Sequence, residues 1–112
     1  MIKFENKILG KVIIRFRHHL PHVEVPQQNN SLESIIEGIK LSQGLTECTL
    51  SVDVDDQGFP AYEYYGSSMV HPSDHYKKET GRIVSLTRAV TQMVNDFSEA
   101  EGRVVMSAYY SR

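Results

Sequence analysis

Twenty residues hold the densest collection of groups able to do chemistry: His71-Pro72-Ser73-Asp74-His75-Tyr76-Lys77-Lys78-Glu79-Thr80-Gly81-Arg82-Ile83-Val84-Ser85-Leu86-Thr87-Arg88-Ala89-Val90. Ser73 and Asp74 follow a proline and suit the N-cap of a helix running to about Ser98. Lys77, Lys78 and Arg82 gather in its first turns, where unsatisfied backbone N–H groups already favour anions. Helix stability alone would place acids there, and Asp74 and Glu79 supply only part of that. Gly81 removes a side chain, so a ligand or another backbone can come close. The chemistry this suits is anion capture. Arg82, Arg88, Lys77 and Lys78 would meet phosphate oxygens, with the Ser85 or Thr87 hydroxyl and a titratable His75 beside them. The two arginines lie six positions apart and point about 120° away from each other on a helix. One ligand then reaches both only at a subunit interface or in a curved cleft. The competing reading is a solvated helix face with Gly81 present for packing.

Other constellations are weaker. His18 and His22, and His71 and His75, are spaced four apart as in helical zinc sites, but Pro21 and Pro72 interrupt each pair. No glutamate stands between them as a general base, and no metal or cofactor is expected. There is no Gly-x-Ser-x-Gly elbow and no phosphate-binding glycine loop ending in Lys-Ser or Lys-Thr, so no catalytic residue is assigned and the protein reads as a non-enzyme. Asp53, Asp55 and Asp56 are explained by a hairpin turn. Tyr62, Tyr64, Tyr65, Tyr109 and Tyr110 are candidates for base stacking; Tyr62 and Tyr64 share a strand face that the basic Arg15 and Arg17 face could adjoin.

Composition bounds these options. The chain has 112 residues, 40% hydrophobic and 23% charged, with a net charge of −2, which fits one globular domain over residues 1–112. Any attraction to nucleic acid must come from a local patch. The single Cys48 sits in an alternating apolar run and reads as a small core residue. No segment has the roughly 18 apolar residues of a membrane span, so no membrane partner and a cytoplasmic location are expected.

The elements that must position these groups follow from periodicity. From Ile8 to Val25, Val12, Ile14, Phe16, His18 and Leu20 alternate with Ile13, Arg15, Arg17 and His19, giving a strand with one apolar and one basic face. Whether Ile2 to Phe4 form a separate strand stays open. Asn30 or Ser31 caps a helix carrying Leu32, Ile35, Ile36 and Ile39 and stopping at Gly44. Thr46 to Val54 turns at Asp55-Asp56-Gln57-Gly58 into Phe59 to Tyr65. The long helix presents Ile83, Leu86, Val90, Met93, Val94 and Phe97, and Arg103 to Tyr110 reads as a closing strand. The expected class is α+β: one antiparallel sheet with two helices on one face, in the strand-helix-strand-strand-helix-strand order of ferredoxin-like domains.

The stretch from about Leu45 to Val90 also resembles small bacteriophage-encoded accessory proteins that carry a hairpin, a Pro-x-Asp-x-aromatic block and a Gly-Arg-x-x-Ala-x-x-Arg-Ala segment. Here these read Pro72-Ser73-Asp74-His75-Tyr76 and Gly81-Arg82, Ser85, Arg88-Ala89. That resemblance implies a non-enzymatic anti-defence protein in the host cytoplasm. It would be a homo-oligomer that sequesters a phosphate-bearing signalling nucleotide at Gly81, Arg82, Ser85 and Arg88. Two alternatives are a protein–protein inhibitor of a host factor and a small nucleic-acid-binding module.

Overall fold

Two polar turns and one alternating pattern build the sheet. The computed structural model describes residues 1–19, 44–69 and 77–112. Strand β1 (Ile2–Asn6) leads through a tight turn into β2 (Gly10–His19). Asn6 holds that turn: its Oδ1 accepts from the Ile8 and Leu9 backbone N–H groups at 2.8 and 3.1 Å. Gly10, at φ +69°, takes the left-handed conformation the turn needs. β3 (Leu45–Val54) and β4 (Pro60–Met69) form the expected hairpin. Asp55 organises it, its Oδ1 accepting from Gln57 and Phe59 at 2.9 and 2.8 Å. Pro60 opens β4, where it costs no central ladder bond.

The four strands lie antiparallel in the order β1-β2-β3-β4. Register follows burial. Val12, Ile14 and Phe16 stand opposite Val52, Leu50 and Cys48, and the last three oppose Tyr62, Tyr64 and Gly66. These positions form one face, and helices α1 (Lys78–Asp96) and α2 (Glu99–Tyr110) pack on it. Leu86, Ala89, Val90 and Met93 of α1 and Val105 and Tyr109 of α2 complete the core. Cys48 lies within it, 1% exposed, and burial pushes its thiol up to about 12. It is a core residue, as its alternating context indicated.

The α+β class, the antiparallel sheet and the helix-covered face are as expected; the likeness to ferredoxin-like domains is one of layers. Two elements differ from the expected order. Residues 2–6 form a separate edge strand, and residues 103–110, expected as a strand, are helical. The reason is periodicity: Glu101, Val105 and Tyr109 recur every four residues on the buried side, whereas a strand would bury alternate ones. Ser98 stands at the N-cap in an extended conformation, and its hydroxyl donates to the Glu101 side chain in the first turn. Gly102 lies inside α2 where α1 passes close: a Cβ there would stand 2.9 Å from the Val94 Cγ2. The helix expected over residues 30–44 lies mostly outside the described residues, as do strand residues 20–25 and the caps Ser73 and Asp74.

Candidate functional site

The helix start was the first candidate, and packing explains much of it. Gly81 is buried against β3, where a Cβ would collide with the Thr46 side chain. Ser85 is 0% exposed, and its hydroxyl donates to the Arg82 carbonyl at 3.2 Å. Its own carbonyl lies over Gly66 of β4, so close that no Cβ would fit. Gly66, Gly81 and Ser85 therefore let α1 lie directly on the hairpin. Both Gly81 and Ser85 are buried in that contact.

The cations of α1 diverge as the helical wheel required. Arg82 turns back to Glu79 at 3.6 Å. Glu79 also accepts from the buried Tyr109 hydroxyl at 3.0 Å and from Arg112 at 3.1 Å, and the Arg112 guanidinium lies 4.0 Å over the Tyr109 ring. That network ties the start of α1 to the end of α2. The Tyr109 hydrogen bond, helped by Arg112 and Arg82, holds the Glu79 carboxyl below its usual range. Lys77 and Lys78 stay exposed beside Glu79. Arg88 instead wraps the outer edge of β4 and donates to the Ser67 carbonyl at 2.5 Å, while Gln92 donates to the Tyr65 carbonyl at 2.8 Å. These bonds cap outward-facing groups of an edge strand. His75 lies outside the described residues, as do His22 and His71.

His18 sits between the two regions. Its Nδ1 is 2.9 Å from the Thr46 Oγ1, and its pKa is lowered first by burial, then by Arg82, Lys78 and His19. Among the described residues, no three of His, Cys, Asp or Glu gather as metal ligands.

The sheet face opposite the helices is different in kind. No described element covers it. Register places Lys3, Lys11, Arg15, Arg17 and His19 on it, with Thr49, Tyr65 and Ser67 beside them. Arg15 and Arg17 are exposed and enter no ion pair among the described residues, unlike Arg82, Arg103 and Arg112. Carboxylates are present too: Glu5 opposes Lys11, Glu47 opposes Arg17 and lies 3.5 Å from His19, and Glu63 hydrogen-bonds Tyr65. The central row, Arg15, Thr49 and Tyr65, holds none of them.

The tyrosines divide between the two faces. Tyr62 and Tyr64 share a face as expected, but it is the helix-covered one. Tyr64 is buried and donates to Asp96 at 2.7 Å, and Tyr62 packs edge-on to Phe97 at 5.0 Å. Tyr109 is buried against Phe16 at 5.7 Å, and Tyr110 is exposed on α2. Among the described tyrosines, only Tyr65, 57% exposed, shares a face with Arg15 and Arg17. Shallow hollows join these groups. One lies among Arg15, Arg17, Glu47 and Thr49, and the next among Glu47, Thr49, Tyr65, Ser67, Arg88 and Gln92. A third adjoins the first at Arg15 and extends to Lys3 and Lys11.

Among the described residues, no helix is long and apolar enough to cross a membrane. No family model and no solved structure matches the chain. One curated protein is similar: Ribosome-binding factor A of Chlamydia muridarum, 28% identical over 78 residues, which cover 70% of this chain. The chain spans 59% of that protein's length. The likeness overturns the expectation of a phage anti-defence protein that sequesters a signalling nucleotide, because the similar protein is named for binding ribosomes.

Proposed function

We propose that the protein is a small RNA-binding module that associates with the ribosome, and that the sheet face opposite the helices makes the contact. The observation that carries this reading is the similarity to Ribosome-binding factor A over 70% of the chain. The site chemistry supports it. RNA affinity begins with cations that can meet phosphates, and Arg15 and Arg17 are exposed and free of ion pairs among the described residues. A net charge of −2 makes the local distribution decisive, because the chain as a whole has no attraction to a polyanion.

Co-sedimentation of the full chain with purified bacterial ribosomal subunits tests the reading. Pelleting with a subunit at low salt, released as salt rises, is the expected result. Absence from every ribosomal fraction at low salt, together with no binding to extracted ribosomal RNA, would overturn it.

A further inference from the structure

The RNA-binding reading leaves open which form of RNA the sheet accepts. The arrangement around Tyr65 bears on that choice, and a choice between forms of RNA rests on the RNA-binding reading. Tyr65 stands on the sheet face opposite the helices at 57% exposure, with cations on both sides of it. Across the sheet, its register partner is Thr49, whose own partner on β2 is Arg15. Strands are spaced about 4.8 Å apart, so Arg15 begins roughly 10 Å from Tyr65, within reach of its long side chain. Arg17 follows on the same face about 7 Å further along β2. On the other side, Arg88 comes round the edge of β4, fixed by its bond to the Ser67 carbonyl, and lines the same hollow as Tyr65.

An aromatic ring between two sets of guanidinium groups suits an unpaired nucleotide. A duplex keeps its base faces stacked inside, so it offers Tyr65 no ring to stack on. A single strand presents both an open base face and a phosphate on each side of it. Thr49, between Arg15 and Tyr65 in the central row, is short enough to let a base lie flat, and Glu47 and Glu63 flank that row. Glu63, bonded to Tyr65, restrains the ring beneath the base.

We infer that the sheet face opposite the helices binds single-stranded RNA, with one base stacked on Tyr65 and the flanking phosphates held by Arg88 on one side and by Arg15 and Arg17 on the other.

Fluorescence anisotropy of the full chain with a short fluorescein-labelled mixed-sequence RNA tests this, single-stranded and then annealed to its complement. Single-stranded RNA should bind more tightly than the duplex. Tyr65→Ala should weaken single-strand binding by roughly 5- to 100-fold, whereas Tyr65→Phe should retain it. The side chain is exposed, so both variants should unfold at the wild-type temperature. A second readout is independent of affinity. The chain has no tryptophan, so Tyr65→Trp introduces a single reporter, whose emission should be quenched by the unlabelled single strand. Equal binding by Tyr65→Ala, tighter binding of the duplex, or unquenched tryptophan in a bound complex would each overturn the inference while leaving RNA binding intact. Failure to bind either RNA or any ribosomal subunit would remove the RNA-binding reading itself.

Discussion

Two groups of cations among the described residues serve different ends. At the start of α1, Arg82 closes on Glu79, Glu79 is shared with Tyr109 and Arg112, and Gly81 and Ser85 are pressed against the hairpin. On the sheet face opposite the helices, Arg15 and Arg17 extend from a strand with no ion-pair partner among the described residues, beside an exposed tyrosine. A basic cluster at a helix start and an alternating basic strand look alike in sequence as anion sites. The contrast is that polar groups beside a close helix–sheet contact are drawn into holding it, while those on the far face remain available.

Substitution where α1 meets the hairpin should produce the largest effect. Gly66→Val puts a branched side chain where the Ser85 carbonyl and the Ala89 N–H already lie, and should lower stability by about 3 kcal/mol or more in urea unfolding. A loss under about 1 kcal/mol would mean that α1 does not sit so tightly on β4. Tyr109→Phe removes the hydroxyl that joins α2 to Glu79 and should cost about 1 kcal/mol, with no change in RNA affinity. A drop in affinity without a drop in stability would return the α1 start to the binding site.

Acid should weaken the same region. Burial and the Arg82 and Lys78 charges hold the His18 pKa below its ordinary 6.5, so the unfolded chain takes up this proton more readily than the folded one. The stability that depends on neutral His18 is present above about pH 6.5 and declines as pH falls below it. Thermal midpoints at about pH 7.5 and about pH 5.5 should differ accordingly, and Arg82→Ala should narrow the difference by removing one repulsive charge. An unaltered difference would mean that Arg82 does not act on His18.

Much of the fold is legible in the residues alone. The 46–65 hairpin follows from alternation on both sides of Asp55-Asp56-Gln57-Gly58, and the stripe of Leu86, Val90 and Met93 marks the buried side of α1. The two-faced character of β2 is also plain from Val12, Ile14 and Phe16 against Arg15 and Arg17. Tyrosine assignment is harder, because Tyr64 and Tyr65 are adjacent and a strand sends them to opposite faces. Which one is buried depends on pairing with Leu50 and Val52, and the turn that sets Val54 opposite Pro60 fixes that register. The C-terminal helix is hidden because its valines and tyrosines carry strand propensity, which the burial period of four at Glu101, Val105 and Tyr109 overrides. Gly81 suggests room for a ligand, yet a single helix cannot reveal that a sheet residue, Thr46, already occupies that room.

The central claim is that the sheet face, and not the start of α1, meets RNA. It is tested most directly by the salt dependence of single-stranded RNA binding in two paired variants, Arg15→Ala with Arg17→Ala and Lys78→Ala with Arg82→Ala. The sheet pair should bind more weakly and reduce the slope of log affinity against log salt by about 1.4, or about 0.7 for each phosphate no longer neutralised. The helix pair should keep the wild-type slope. A wild-type slope in the sheet pair, with the reduced slope in the helix pair, would contradict the account.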